Sequence, residues 1–267
     1  AQSLSSTPLP HVIRATGSGN DRVVIAAAVA TQHVCNAALP LSALEVALAV
    51  AQAPMARRAW LLTATMHASR TPQHAGSWGL ARSARAEASL SVGCIDGAST
   101  AASERVQTAA EPEALLRRNG CLVPRLARAS QGAHAAFAPA ACAHVVTGGT
   151  GGLGLLTARW LAQRRGAHAL ALGSRAGVLV RTAAHEWTGV RATTAATLVQ
   201  RCNTAEGAHV QRLVAHAPGA APATGVWHAA GVLADGVLPG QRAEALALVH
   251  APKAHGAAAL HRALVRA

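Results

Sequence analysis

Short apolar runs alternate with stretches in which apolar residues recur at helical spacing along most of the chain. In the first half this pattern predicts two strands and two helices. They are strand 22–27, helix 41–53, strand 59–63 and helix 74–87. Two further apolar runs, 113–118 and 121–128, meet at Asn119-Gly120, a pair that favours a type I′ hairpin turn. The first half is therefore predicted to be a small βαβα unit followed by a hairpin.

A stretch rich in Ala, Ser, Gly and Pro, residues 127–140, predicts a linker, with a domain boundary near residue 139. We therefore expect two domains, residues 1–139 and 140–267. In the second domain the pattern predicts strands 144–146, 169–173, 209–213 and 224–228, and helices 155–165, 192–201 and 241–249. Repeated βα units in this order predict an α/β fold with a doubly wound parallel sheet. A ligand is then expected at the carboxyl ends of the strands.

Hydrophobic residues make up 51% of the 267 residues and charged residues 13%, which predicts a folded core. The formal net charge of +13 raises the possibility of nucleic-acid binding, but the arginines are scattered and aromatic residues amount to 2%. We therefore predict no nucleic-acid partner, with an arginine-driven nucleic-acid binder as an open alternative. A basic surface also suits a phosphorylated cofactor or an acidic carrier partner.

The cysteines and histidines show no metal-binding pattern. Five cysteines are widely spaced, and fourteen histidines include no His-Glu-x-x-His spacing, so no metal site is predicted. Residues 23–44 carry no charge, but Gln32, His33, Asn36 and Pro40 interrupt them, so no membrane span is predicted. Residues 1–20 do not read as a secretory signal. We expect a cytoplasmic protein, and an organellar location through a removed transit peptide stays open.

The strongest candidate site is the glycine-rich turn 147–154, which lies between the apolar run 141–146 and the helix-like stretch 155–165. A strand that turns on glycines into a helix directs backbone N–H groups and the positive end of the helix dipole at one spot, which suits a pyrophosphate. About twenty residues later, Ser174-Arg175 ends the next predicted strand, where the ribose contact belongs. An acidic residue there would favour NAD, whereas Arg175 offers a charged fork for the 2′-phosphate of NADP.

Four motifs in this order resemble the ketoreductase domain of modular type I polyketide synthases, a member of the short-chain dehydrogenase/reductase superfamily related to the reductase of animal-type fatty-acid synthases. The motifs are residues 147–154, 173–177, 228–236 and 252–257. The similarity extends to residues 60–63, 78–82 and 111–126, which resemble the family's structural subdomain, a nucleotide fold without its own cofactor site. The resemblance implies two Rossmann-like subdomains, the second incomplete at its C-terminal end.

The resemblance implies the roles of individual residues toward NADPH. Arg175, with Ser174, would hold the 2′-phosphate, and Asn203 stands where the family has an Asp facing the adenine. An amide oxygen still accepts a hydrogen bond there. The pyrophosphate turn would consist of Thr147, Gly148, Gly149, Thr150, Gly151, Gly152, Leu153 and Gly154, and the nicotinamide side would be lined by His228, Ala229, Ala230 and Gly231.

Lys253, the only lysine in the chain, falls on the family's catalytic lysine. An ammonium near a phenol favours the phenolate. Asp235 matches the second acid of a substrate-side Leu-Asp-Asp motif that accompanies one stereochemical class of product in the family. An equal alternative is that Asp235 is a solvated loop residue without a role in the site. The family's proton-donating Tyr and its Ser come later than the lysine, and this sequence contains no tyrosine. We therefore expect a C-terminally truncated ketoreductase that is inactive alone.

The implied function is NADPH-dependent reduction of a β-ketoacyl thioester to a β-hydroxyacyl thioester within a polyketide or fatty-acid synthase. The implied partners are an acyl carrier protein bearing the β-ketoacyl phosphopantetheine and the neighbouring synthase domains. A non-catalytic scaffold, a pseudo-ketoreductase that only spaces or docks other domains, is the alternative.

Overall fold

The structure is a computed structural model that describes residues 11–16, 23–29, 39–52, 58–64, 75–88, 91–97, 111–117, 120–128, 143–179, 183–218 and 223–265. The chain forms two compact units. The first contains Ala1–Arg128 and Asp235–Leu246, and the second contains Ala129–Ala234 and Ala247–Ala267. The predicted boundary near residue 139 lies outside the described residues and stays a prediction. The return of Asp235–Leu246 to the first unit has no counterpart in the sequence pattern.

The first unit contains a six-stranded sheet whose strands follow chain order. The inner pairs β2 to β5 are parallel, and the outer pairs β1·β2 and β5·β6 are antiparallel. Helix α1 (Leu39–Ala51) follows β2, and helix α2 (Ala75–Ala88) follows β3. The strands are β1 (His11–Thr16), β2 (Val23–Val29), β3 (Arg58–Ala64), β4 (Ser91–Asp96), β5 (Glu113–Arg117) and β6 (Gly120–Leu122).

The predicted βαβα pattern of this unit is confirmed, but strands β1 and β4 were not predicted. The predicted hairpin also forms, with a different register and a shorter second strand. Gly120 pairs with Arg117 inside the ladder, and residues 118 and 119 lie outside the described part of the chain. Gly120, predicted as a turn residue, is therefore the first residue of the second strand, because the pairing of Leu115 with Leu122 sets the register.

Two polar side chains explain why Asp235–Leu246 belongs to the first unit. The Gln52 side-chain amide donates hydrogen bonds to the carbonyls of Leu238 and Gln241, both at 2.8 Å. Glu87 accepts the backbone N–H of Leu238 at 2.6 Å. The Leu238 side chain is buried in the same core as Leu48 of α1. These contacts satisfy the backbone of the short 3₁₀ turn Leu238–Gly240.

The second unit contains a four-stranded parallel sheet in the order β10-β7-β8-β9. Its strands are β7 (Ala143–Thr147), β8 (Ala169–Ser174), β9 (Ala196–Arg201) and β10 (Ala223–His228). The chain also forms α3 (Gly152–Arg164), α4 (Ala184–Arg191), α5 (Gly207–Ala215), α6 (Ala243–His250), a π-helical turn (Ala251–His255) and α7 (Gly256–Val265).

Apolar side chains of this sheet pack on both faces, because neighbouring residues of a strand point to opposite sides. Val145 is buried against α5 and α7, whereas Val146 is buried against α3 and α4. The predicted doubly wound parallel sheet is confirmed. Strands β8 and β10 lie on opposite sides of β7, so the strand order reverses between β7 and β10.

Two predicted elements of the second unit were wrong. The segment predicted as helix 192–201 contains strand β9, because the β-branched Thr197 and Val199 favour the extended ladder beside β8. The segment predicted as strand 209–213 is part of helix α5, whose buried residues Val210, Leu213 and Val214 have helical spacing. Both errors come from short apolar runs that fit either period.

Candidate nucleotide-binding site

The turn after β7 needs glycine at two positions for different reasons. Gly148 has φ +67°, a left-handed conformation that favours glycine, and a Cβ there would lie 2.7 Å from the carbonyl oxygen of Ala229. Gly154 lies in the first turn of α3, and a Cβ there would collide with the carbonyl oxygen of Gly148. The backbone can therefore turn sharply from the strand into the helix while touching the loop after β10.

The turn fixes where the first backbone donors of α3 lie. Gly149 N–H donates to the Gly173 carbonyl and Gly151 N–H to the Gly148 carbonyl, both at 3.0 Å, which fixes the turn to β8 and to itself. The first N–H groups of α3 have no carbonyl within the helix to bond, and the N-cap residue Gly151 supplies no side-chain bond. A Cβ on Gly152 would meet no described atom within 4 Å. These features fit an anionic group such as a pyrophosphate.

The end of β8 places a cation beside this turn. Ser174 Oγ accepts the N–H of Gly177 at 3.1 Å and closes the loop that carries Arg175. Arg175 is exposed and makes no ion pair with any described residue. Its guanidinium is therefore available to a phosphate, because five N–H donors in a planar fork match phosphate oxygens.

The end of β9 contributes Asn203, whose amide is held by its neighbours. Its Nδ2 donates to Glu206 at 2.8 Å, and its Oδ1 accepts the N–H of Ala205 at 3.3 Å. An amide oxygen has two lone pairs, so one acceptor position stays open toward a ligand. Cys202, directly before it, is buried, and burial raises the pKa of its thiol, which therefore stays protonated.

The end of β10 and the π-helical turn meet through side-chain hydrogen bonds. His228 Nδ1 lies 2.6 Å from Thr147 Oγ1, and His228 Nε2 lies 2.9 Å from the carbonyl oxygen of Pro252. The His228 ring therefore bonds to a strand end and to the turn that carries Lys253. Lys253 is exposed, and its side chain passes Gly231 closely enough that a Cβ on that glycine would lie 3.3 Å from Nζ.

These strand ends surround one cavity of about 620 Å³. Arg175 is the one charged side chain among the described residues that line it. The predicted site residues in its wall are Gly148, Thr150, Gly151, Ser174, Arg175, Asn203, Ala229, Ala230 and Gly231. Predicted residues outside the wall are Thr147, Gly149, Gly152, Leu153, Gly154, His228, Lys253 and Asp235, the last of which is exposed and groups with the first unit. Their predicted roles stay predictions.

Sequence reasoning missed part of the cavity wall. Cys202, Thr204 and Ala205 follow β9, and they were missed because β9 was predicted as a helix. Leu248 and Ala251 lie on α6 and the π-helical turn, five and two residues before Lys253. The other missed wall residues are Ala176, Val178, Leu179, Val232 and Pro252.

Other kinds of site find no support in the described part of the chain. No three His, Cys, Asp or Glu side chains there come together as a metal ion requires. No helix within the described ranges has the length and apolar character needed to cross a membrane.

Comparison with known proteins finds a KR domain and polyketide synthases. The KR domain family matches residues 142–267. The spectinabilin polyketide synthase system protein NorA of Streptomyces orinoci is 38% identical over 213 residues, which cover 77% of this chain and 11% of that protein. Polyketide synthase GfsE of Streptomyces halstedii is 35% identical over 198 residues, which cover 70% of this chain and 5% of that protein.

Solved ketoreductase structures are also similar to this chain. The ketoreductase PlmKR1, from the first module of phoslactomycin biosynthesis in Streptomyces sp. HK803, has a TM-score of 0.71 at 28% identity, covering 89% of this chain and 57% of that chain. An A1-type ketoreductase has a TM-score of 0.69 at 30% identity, covering 82% and 50%. The chain therefore spans about half the length of these structures and a small part of the synthases.

Proposed function

Because residues 142–267 match the KR domain family and the chain is similar to polyketide synthase ketoreductases, we propose that it is the nucleotide-binding part of an NADPH-dependent β-ketoacyl reductase in a polyketide or fatty-acid synthase. KR domains are NAD(P)-dependent reductases. The observation that carries the proposal is the cavity at the carboxyl ends of four parallel strands. Both the glycine turn and Arg175 line this cavity. Bound NADPH supplies the hydride for reduction of the β-ketone.

The residues of the chain bind and orient the cofactor. The N–H groups at the start of α3 face the pyrophosphate, and the Arg175 guanidinium pairs with the 2′-phosphate. Asn203 accepts a hydrogen bond from the adenine, and Ala229 to Gly231 line the nicotinamide side. NADPH is preferred to NADH because Arg175 has no carboxylate partner among the described residues and would lose its phosphate partner with NADH.

Lys253 is the catalytic side chain that the chain supplies. Its ammonium stabilises the phenolate form of a neighbouring tyrosine and so promotes proton donation to the developing alkoxide. The 267 residues contain no tyrosine, so we propose that this proton donor and the partner serine are supplied by residues outside this sequence. The 267 residues on their own are then expected to bind NADPH without reducing a ketone.

The partners and the location follow from the same proposal. The synthase relatives are much longer than this chain, which supports neighbouring synthase domains as partners. The substrate is a β-ketoacyl group on the phosphopantetheine arm of an acyl carrier protein, and a formal charge of +13 favours an acidic carrier. A cytoplasmic location is part of this proposal.

A second candidate function is a pseudo-ketoreductase that binds NADPH or only docks neighbouring domains without catalysis. The observation that favours it is the absence of tyrosine from the 267 residues. Sequencing the encoding reading frame beyond residue 267 distinguishes the two candidate functions. A serine and then a Tyr-x-x-x-Asn segment supports the reductase, whereas a stop codon supports the scaffold.

Calorimetric titration of the chain with NADPH and with NADH tests the proposal. Arg175→Ala is expected to weaken NADPH binding about thirtyfold and to leave NADH binding unchanged, because one charge-assisted contact to the 2′-phosphate is lost. Arg191→Ala is the matched control, since Arg191 is exposed at the end of α4 and does not line the cavity. Equal NADPH affinities for Arg175→Ala and the unsubstituted chain contradict the proposal.

A further inference from the structure

A chain of hydrogen bonds runs from the glycine turn to the residue before Lys253. The backbone N–H of Ala230 points at Thr147 Oγ1 at 3.4 Å, and that oxygen lies 2.6 Å from His228 Nδ1. On the other edge of the ring, His228 Nε2 lies 2.9 Å from the carbonyl oxygen of Pro252. Thr147 is fully buried, and His228 is partly buried.

For a neutral His228 ring, the chemistry of the partners sets the direction of each bond. A carbonyl oxygen only accepts, so His228 Nε2 carries the proton that goes to Pro252. In the neutral imidazole Nδ1 is then the acceptor, and the Thr147 hydroxyl donates to it while accepting the N–H of Ala230. Donors and acceptors therefore alternate without a conflict along the whole chain, as a satisfied buried network requires.

The Pro252 carbonyl belongs to a helical turn of unusual width. Proline cannot donate a backbone hydrogen bond, and residues Ala251–His255 form a π-helical turn in which Gly256 N–H reaches back to the Ala251 carbonyl. The Pro252 carbonyl accepts the His228 bond and a second, longer one from Thr204 Oγ1 at 3.5 Å. The side chains beneath the turn thus bond to the backbone at the residue that precedes Lys253.

Two glycines bring the partners together. A Cβ on Gly256 would lie 3.0 Å from Thr204 Oγ1 and 3.2 Å from His228 Cε1, so glycine lets α7 begin directly against the His228 ring. A Cβ on Gly231 would lie 3.0 Å from Cε of Lys253. Gly231 lines the cavity, so the Lys253 side chain extends past the cavity wall rather than away from it.

We propose that His228 is a positioning residue for Lys253: the Thr147–His228–Pro252 network holds the π-helical turn so that the lysine ammonium lies beside Gly231. This deepens the proposed function, since it rests on the role given there to Lys253. His228 then serves the site through the backbone of Pro252, in addition to its predicted place on the nicotinamide side.

Because Lys253 is the only lysine in the sequence, its surroundings can be measured by a lysine-specific label. Reductive methylation with ¹³C-formaldehyde labels Lys253 and the terminal amine only, so the dimethyl-lysine NMR signal reports the surroundings of Nζ in the full 267-residue chain. His228→Ala removes both ring bonds. His228→Gln keeps a donor near the position of Nε2, and His216→Ala, at an exposed residue after α5, is the matched control.

His228→Ala is expected to move the Lys253 signal to its position in the urea-unfolded chain. It should also lower the hydrogen-exchange protection of the Lys253 to Ala257 amides about fivefold, as loss of one hydrogen bond predicts. His228→Gln is expected to restore the Lys253 signal, and His216→Ala to leave it unchanged. A folded His228→Ala chain with an unmoved Lys253 signal overturns the proposal, even where its melting temperature falls.

A second pair of variants covers the case in which His228→Ala does not fold. Thr147→Val removes the hydroxyl donor to His228 and is expected to shift the Lys253 signal partway, whereas Thr147→Ser retains the hydroxyl and the signal. Identical signals for the two variants overturn the proposal. NADPH titration of the unsubstituted chain is run on the same samples. Absent NADPH binding refutes the proposed function, whereas the Lys253 signals judge the positioning role separately.

Discussion

The two units share a βαβ repeat but order their strands differently. In the first unit β2, β3, β4 and β5 lie side by side in chain order, whereas in the second unit β8 and β10 lie on opposite sides of β7. Loops that leave adjacent strands in opposite directions open a crevice, and ligands of parallel sheets bind there. The cavity lies at such a reversal. Strand order therefore distinguishes the sheet that carries this cavity, the proposed nucleotide site, from the sheet of the first unit.

The connections after the first parallel strands differ as well. In the second unit the connection from β7 to α3 is the glycine turn, in which Gly148 and Gly154 allow backbone to approach backbone. In the first unit the sequence between β2 and α1, residues 30–38, contains no glycine. The glycines of the proposed phosphate cradle therefore have no counterpart in the sequence of residues 30–38, and a βαβ unit alone does not specify the function.

Both units bury polar groups, with different consequences. In the first unit the Glu113 carboxylate is 7% exposed and binds Arg82 and Arg85, so its acceptors are used internally. In the second unit the network of Thr147 and His228 ends at the turn that carries Lys253. A buried cluster that closes on itself stabilises a unit, whereas one that ends beside a cavity can orient a functional group.

The largest effect is expected from Gly154→Ala. Its methyl group would collide with the Gly148 carbonyl oxygen, so the turn must open. We expect the free energy of unfolding of the second unit to fall by about 3 kcal/mol and NADPH binding to become undetectable. Urea denaturation and calorimetry measure the two effects.

The matched control for that variant lies in the first unit. Gly79 is exposed on α2, and a Cβ there meets no described atom within 4 Å, so Gly79→Ala is expected to stabilise the helix by about 0.5–1 kcal/mol. NADPH binding should be unchanged. If Gly154→Ala binds NADPH as the unsubstituted chain does, the glycine turn is not the phosphate cradle.

Glu113→Gln is expected to have a smaller effect, confined to stability. It leaves two arginines without their carboxylate, and because Arg82 is half exposed we expect a loss of about 2 kcal/mol in the free energy of unfolding. The NADPH dissociation constant should not change. Glu111→Gln, which breaks the exposed pair with Arg125, is the control and should cost under about 0.5 kcal/mol. A large change in NADPH affinity would refute a purely structural role for the first unit's cluster.

The same carboxylate predicts a modest pH dependence. Hydrogen bonds from Arg82 lower the pKa of Glu113 below its ordinary value, against the opposing effect of burial. A lowered folded-state pKa stabilises the fold above the unfolded pKa, about 4.3, and that stabilisation is lost as the pH falls through the folded pKa. The difference in unfolding free energy between the unsubstituted chain and Glu113→Gln should shrink from pH 7 to pH 3. A constant difference contradicts the shift.

The sequence predicted the parallel α/β class and the glycine turn because these depend on local signals. Gly148 and Gly154 stand in one short motif directly after an apolar strand, and Arg175 stands at the end of the next strand. Strand β9 was predicted as a helix and helix α5 as a strand, because each segment has few apolar residues in a short run that fits either period. The link between His228 and Pro252 and the return of Leu238 to the first unit depend on tertiary packing, which no local pattern encodes.

Hydrogen exchange of the chain with and without NADPH tests most directly whether the second unit alone holds the nucleotide. We expect slower exchange in the four segments after β7, β8, β9 and β10, which contain Gly151, Arg175, Asn203 and Ala230, and no change in the first unit's β2 to β5. Slower exchange confined to β2 to β5, or none anywhere at saturating NADPH, would contradict the assignment.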